Sequence, residues 1–324
     1  MKYSEITLKV LAAIECGIIK SNAQFWNEFE KRDKFEQRIL EDDNFSKVLS
    51  RLKDEFSSSS NEESIISIYD DSFPVINKNV KNKGDKPYLL FYKGNLSLLN
   101  NLNKNVAVIG LVNPDNKIIN RENDVVKKLT DNDLVIVSGL AKGCDSIAHK
   151  SCLDNGGKTI AILPSPLNKI YPAENKQLAE EIVQRNGLLI SEYYKEPKSR
   201  SEAINRFIKR DRLQAMFSKA IILIASYRKG EGDSGSRHAM EAARKYEIDR
   251  YVMYNNKTDE NNIQFALNKD LLFGKYEINV KVLQASSIQN IKLLKNKNLM
   301  SDNLNLENEQ LKLIWKKTKN IFLI

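Results

Sequence analysis

The chain has 324 residues, 41% of them hydrophobic, and 51 Lys and Arg against 42 Asp and Glu leave a net charge of +9. That length provides for about two domains with a core that needs no cross-links, and the apolar content excludes a wholly disordered chain. The three cysteines, Cys16, Cys144 and Cys152, are scattered without metal-ligand spacing; this argues against a disulfide framework and a metal site, and fits a reducing compartment.

In chain order, residues 1–60 read as a helical N-terminal region, with apolar positions at helical spacing (Leu8, Leu11, Ala12; then Phe25, Trp26, Phe29). Residues 6–19 are apolar but interrupted by Lys9 and Glu15, with no small-residue cleavage site after them. They predict an amphipathic helix rather than a signal peptide. No apolar run approaches the length of a membrane span, so a cytoplasmic protein is expected. Ser57-Ser58-Ser59-Ser60-Asn61 marks a flexible boundary, and residues 61–104 form an extended lead-in to the core.

From 105 to 255, β-branched runs at 106–110, 134–138, 159–163, 188–191, 221–225 and 251–254 alternate with helical segments. The pattern predicts an α/β fold, a Rossmann-like doubly wound, mostly parallel sheet covered on both faces. Residues 256–324 form a C-terminal extension. Within it a helix is expected over 307–319, where Leu311, Ile314 and Trp315 share a face, and the apolar end Ile321-Phe322-Leu323-Ile324 is expected to dock on the body.

The positive charge is concentrated. Residues 195–229 hold ten basic groups against Glu196, Glu202 and Asp211, the footprint of a polyanionic partner or of a solvated lysine-rich surface. In a doubly wound sheet, ligands sit beyond the carboxyl ends of the strands, where helix N-termini offer free N–H groups. Two loops there carry the small residues this requires. In the first, Ser138 offers a hydroxyl, Gly139 and Gly143 permit close approach, Lys142 adds charge, and Asp145 or Ser146 caps the following helix. The second, Gly230-Glu231-Gly232-Asp233-Ser234-Gly235-Ser236, precedes a helix expected over Arg237–Lys245; Ser234, Gly235 and Ser236 are its phosphate-binding candidates. Both loops also suit plain strand-to-helix turns. Neither is a dinucleotide or Walker pattern, so no cofactor is expected.

A third element, Arg206-Phe207-Ile208-Lys209-Arg210-Asp211-Arg212, is expected to open the next helix. Arg206, Lys209, Arg210 and Arg212 supply charge, and Phe207 with Tyr193-Tyr194 supplies stacking surface, the combination single-stranded nucleic acid asks for. The other reading is a charged helix face on which Asp211 pairs with an arginine. Of the two histidines, His149 suits a structural role and His238, at a helix opening, is a candidate ligand contact. Neither has the partners of a catalytic triad, and no catalytic residue is assigned.

Over residues 65–254 the chain resembles the DprA/Smf family of DNA-processing proteins. The resemblance rests on Asp71-Ser72-Phe73-Pro74, on Pro87-Tyr88-Leu89-Leu90-Phe91-Tyr92-Lys93-Gly94-Asn95, and on the run from Ser138 to His149. It continues through Thr159-Ile160-Ala161-Ile162-Leu163, Tyr171-Pro172-Ala173-Glu174-Asn175 and Leu189-Ile190-Ser191-Glu192, with Arg210-Asp211-Arg212 where the family has Arg-Asn-Arg. It implies a homodimer that binds single-stranded DNA, is not an enzyme, and assists a RecA-type recombinase on incoming DNA. It also implies that Lys142, Arg210 and Arg212 contact phosphate while Ser138, Gly139 and Gly143 shape the pocket.

This chain departs from the family at several places, among them a segment after Ser236 about one helical turn short and no evident C-terminal winged helix. Gly110-Leu111-Val112 replaces Gly-Ser-Arg, Pro164-Ser165-Pro166 replaces Gly-x-Gly, and Ala225 stands where a glutamate is common. The altered Leu111-Val112 and Pro164-Ser165-Pro166 loops motivate an alternative from another class, a nucleotide-sensing or antitoxin-like regulatory module of a defence system, with a toxin as partner. Four residues rather than two separate Glu241 from Ser236, which puts it on the wrong helical face for the carboxylate of related phosphoribohydrolases.

Overall fold

The β-branched runs become strands because their side chains are buried on both faces of a sheet that needs no polar side. A computed structural model describes residues 2–57, 63–274 and 279–293. It forms a nine-stranded sheet from β1 (Ser64–Ser67), β2 (Leu89–Gly94), β3 (Asn105–Ile109), β4 (Val135–Ser138), β5 (Thr159–Leu163), β6 (Leu188–Ser191), β7 (Ala220–Leu223), β8 (Asp249–Val252) and β9 (Val280–Val282). Their spatial order is β1-β2-β6-β5-β4-β3-β7-β8-β9. The strands from β6 to β9 pair in parallel, while β1–β2 and β2–β6 are antiparallel.

The six expected strands are all present in the parallel part. The boundaries expected at 104/105 and 255/256 instead fall inside the sheet. The lead-in supplies two antiparallel strands at one edge, and the C-terminal extension adds β9 at the other. A strand that pairs with a core strand gains its ladder hydrogen bonds whatever its place in the chain.

Four helices precede the sheet, α1 (Glu5–Glu15), α2 (Asn22–Glu28), α3 (Arg32–Ile39) and α4 (Phe45–Ser57). Ser4 caps α1 by accepting from Thr7 N–H, and Ser21 caps α2 by accepting from Gln24 N–H. The first helix is less amphipathic than its charges suggested. Seven consecutive or near-consecutive residues between Ile6 and Ala13 are buried, because α1 lies between α4 and the β1–β2 edge. The tie is polar as well as apolar: Thr7, Ser67 and Asp70 share hydrogen bonds, and the Phe25 ring stacks on Tyr88 with centroids 4.1 Å apart.

The crossover helices are α5 (Asn116–Thr130), α6 (Cys144–Asp154), α7 (Lys176–Gln184), α8 (Arg200–Met216) and α9 (Arg237–Lys245), followed by α10 (Ala266–Phe273) and α11 (Ala285–Leu293). The expected 307–319 helix and the final apolar residues lie outside the described residues. Among the described residues no helix is long and apolar enough to cross a membrane.

Candidate functional site

Strand β3 lies between β4 and β7, so the chain leaves it in opposite directions and a crevice opens at the carboxyl ends of these three strands. The loops after β3, β4 and β7 and one face of α8 line a cavity of about 170 Å³ there. Both glycine loops and the basic segment predicted from sequence meet at this point. Burial gives their residues different tasks from those expected.

Ser138 is fully buried, and its hydroxyl donates to Val108 O at 2.7 Å, tying β4 to β3. At Gly139 a Cβ would overlap the Arg210 guanidinium, and at Gly143, whose φ is +69°, it would overlap the carbonyl oxygens of Leu111 and Val112. The close approach that glycine permits is therefore to the protein's own atoms. Asp145 does not cap α6. Its Oδ2 accepts from Gly139 N–H (3.2 Å) and Ala141 N–H (3.4 Å), while Cys144 N–H donates to Leu111 O and Ser146 Oγ donates to Gly143 O. Three amides of the loop are thus occupied from within. Lys142 is half-exposed and pairs with Glu174 at 2.6 Å.

The second loop folds inward in the same way. Asp233 Oδ2 accepts from Val112 N–H at 2.7 Å, and Oδ1 from Gly235 N–H at 3.4 Å. Ser236 Oγ donates to Gly110 O, and the buried Ser234 accepts from Arg237. His238 is half-buried beside Glu241 at 3.9 Å, and burial followed by the Arg237 charge lowers its pKa.

The basic segment lies in the middle of α8 rather than at its start, because Ser199 caps the helix seven residues earlier by accepting from Glu202 N–H. Three of its four cations are buried and neutralised. Arg206 binds Glu202 (2.6 Å) and Lys195 O, and its guanidinium lies 4.1 Å from the Tyr193 ring centroid. Arg212 is bidentate to Glu192, both contacts 2.7 Å, and donates Nε–H to Asp85 O. With a further bond from Nη1 to Lys209 O, four of the five N–H groups of this buried guanidinium are engaged within the protein, which leaves little donor face for the phosphate contact expected of Arg212. Arg210, 5% exposed, stands between Asp145 (3.5 Å) and Asp211 (3.2 Å) on the cavity wall. Burial pushes Asp211 up to about 7 against the pull of Arg210. Lys209 is exposed.

His149 is fully buried, with Nδ1 2.6 Å from Thr159 Oγ1. Thr159 gives its own proton to Ile136 O, so Nδ1–H donates to Thr159 Oγ1. Desolvation, then the Arg210 charge, lowers its pKa to about 3. Nearby, burial holds the Glu122 carboxyl well above the usual carboxylate range.

Sequence reasoning missed two features. One is acidic: Asp145, Asp211 and Asp233 line the small cavity with Arg210 as its cation. The other is an exposed patch on α8 and the loop after β5. Ile204, Ile208 and Tyr171 are 53%, 40% and 58% exposed, and the Tyr171 ring meets Phe207 edge-on at 5.6 Å. Ile204, Tyr171 and Phe207 border a larger cavity of about 490 Å³, lined also by Pro166, Lys169 and Arg200. The i, i+4 pairs Ala203–Phe207 and Ile204–Ile208 on a charged helix were the available signal. Among the described residues no group of three or more His, Cys, Asp or Glu could hold a metal ion.

Residues 64–267 match the profile of the family described as DNA recombination-mediator protein A. The chain belongs to this family. Among similar proteins, DNA processing protein DprA of Streptococcus pneumoniae is 43% identical over 127 residues, 39% of this chain and 43% of that protein. Protein Smf of Synechocystis is 34% identical over 140 residues (43% and 34%), and DprA of Bacillus subtilis 30% over 161 (50% and 52%). These matches thus span between a third and about half of the curated DprA/Smf relatives. The fold likeness is longer. The solved DprA of Streptococcus pneumoniae covers 89% of this chain and 97% of its own, with a TM-score of 0.61 at 26% identity. The DprA of Helicobacter pylori, solved in a study of its single-stranded DNA binding mode, covers 72% and 97%, with a TM-score of 0.56 at 27% identity. Membership of the DprA/Smf family, expected from the motifs, is confirmed, as is the Rossmann-like fold.

Proposed function

We propose that this DprA/Smf-family protein binds single-stranded DNA along the carboxyl edge of its sheet. The observation that carries the reading is the exposed patch, where Tyr171 and Phe207 stand beside Lys169 and Arg200, with Lys209 exposed further along α8. Aromatic faces stack on unpaired bases, and flexible exposed cations neutralise phosphates without reading sequence. The surface pairs Lys142–Glu174 and Lys169–Glu196 are weak enough in water to exchange a carboxylate for a phosphate. In this reading Lys142 and Lys209 contact the backbone, while Arg206, Arg210 and Arg212 position the elements that present them. Recombinase loading and a homodimer are the finer parts of the proposal, drawn from the family resemblance. Pull-down with a purified recombinase and light scattering test them.

The alternative, a nucleotide sensor or antitoxin-like module, is less well supported, because Arg210, the one cation lining the small cavity, is already paired with Asp145 and Asp211 and leaves no excess positive charge for a phosphate.

The test is fluorescence anisotropy of a labelled oligo-dT strand at two salt concentrations, challenged with duplex competitor. Binding that weakens steeply with salt and resists the duplex is expected. Absence of binding at low salt overturns the proposal.

A further inference from the structure

We infer that the groove between α5, α6 and α7 is the docking site of this chain's own segment 307–319, seated there as an amphipathic helix. Helix α6 packs on α5 and meets α7 along its other side, and a surface groove of about 590 Å³ runs across the three. This docking stands apart from DNA binding, since the groove shares no lining residue with the sheet crevice or with the cavity beside Tyr171. Ile119, Ile147 and Leu178, one from each helix, are half-buried and give the groove an apolar strip. Asp154, Glu174 and Glu181 against Lys150 make the rest of the lining acidic.

Chemistry and reach together select the occupant. Segment 307–319 places Leu311, Ile314 and Trp315 at i, i+3 and i+4, the spacing by which a helix anchors in a groove. Lys312, Lys316, Lys317 and Lys319 surround that stripe, so its cations complement the acidic lining. Lys150 pairs with Asp154 (3.1 Å) and Glu181 (3.5 Å), Arg185 with Glu181 (2.8 Å), and Lys142 with Glu174. Exposed pairs of this kind exchange partners at little cost. A helix over 307–319 is about 20 Å long and marginal alone in water, so it requires a surface on which to bury its stripe. The described chain leaves off on the right side of the molecule. Gln289 of α11 donates to Asn132, just beyond the end of α5, at 3.3 Å, and Ile288 and Ile291 join the apolar cluster of Val126 and Leu129. From Asn132 the groove residue Asn123 lies about 14 Å up the same helix. Residues 294–306, fully extended, span up to about 43 Å, ample to bring the segment there.

The experiment is zero-length carbodiimide cross-linking of the full wild-type chain, with linked peptides identified by mass spectrometry. Amide links from Lys312, Lys316, Lys317 or Lys319 to Asp154, Glu174 or Glu181 are expected in the species that keeps the mass of one chain on a denaturing gel. The same links confined to a species of twice that mass seat a second copy's segment in the groove and overturn the inference. Links from these lysines only to carboxylates elsewhere overturn it too, as does their absence while the Lys281–Asp249 pair is captured. Trp315→Ser removes the largest apolar anchor without touching the groove, and Leu178→Lys interrupts the apolar strip on α7. Each should cut the groove links at least about threefold against the Lys281–Asp249 link. Links undiminished in Trp315→Ser overturn the inference, so the test stands even if Leu178→Lys does not fold.

Discussion

Arg212 shows how burial converts a recognition residue into a structural one. With both Glu192 oxygens and the Asp85 carbonyl engaged, removing its side chain leaves a largely covered carboxylate without its cation. Arg212→Ala is expected to cost about 3–5 kcal/mol in urea unfolding, and any loss of DNA binding should track loss of fold. His149 makes a pH prediction. Its folded pKa of about 3 lies below the ordinary value of 6.5, so below pH 6.5 the unfolded chain takes up a proton that the fold refuses. Stability from this residue is therefore present above pH 6.5 and lost as pH falls toward 3. Asp211 acts in the opposite sense: its pKa, raised to about 7 from 3.8, gives stability below pH 4 that is lost as pH rises through 7. The two contributions overlap and offset, so the variant comparison isolates each. Relative to wild type, His149→Asn should gain about 2 kcal/mol between pH 6.5 and 5, and Asp211→Asn should gain as pH rises from 5 to 8, both read from denaturation midpoints.

At the scale of elements, α8 does two jobs on two faces. Its inner face, Arg206, Arg210, Asp211 and Gln214, is buried against the crevice; its outer face leaves Ile204, Ile208 and Lys209 in solvent. The sequence shows the cluster of charge but not the partition, because i, i+4 spacing groups residues by face without naming which face is covered. Replacing Lys169, Arg200 and Lys209 together by alanine should weaken oligo-dT binding across sequences. The logarithmic salt slope should fall by roughly one for each phosphate that is no longer neutralised, with the unfolding midpoint unchanged. The glycine loops divide similarly. Gly139 and Gly143 were recognisable as places of close approach, yet what approaches is Arg210 and the 111–112 backbone, which no local pattern announces. Gly143→Ala, strained at positive φ and against two carbonyl oxygens, is expected to lower the melting temperature by several degrees, measurable by calorimetry.

Across the whole molecule, the N-terminal helices and the sheet share one apolar cluster that joins Phe25, Phe35 and Leu52 to Ile65, Phe91 and Leu189. Deleting residues 1–57 would expose that surface. The full chain should therefore unfold in one calorimetric transition, and the truncated chain should aggregate at temperatures where the full chain is monodisperse by light scattering. The sequence by itself determined the six parallel strands, the helical beginning and the family, since hydrophobic periodicity and ordered motifs are local or nearly local signals. Only the tertiary structure decided which arginines face solvent, which amides are already bonded, and that Asp145, Asp211, Asp233 and Gln214 line one small cavity. Those outcomes depend on contacts between residues far apart in the chain, as between Val112 and Asp233 or Arg212 and Asp85, and burial, which sets both charge and availability, exists only once those contacts form.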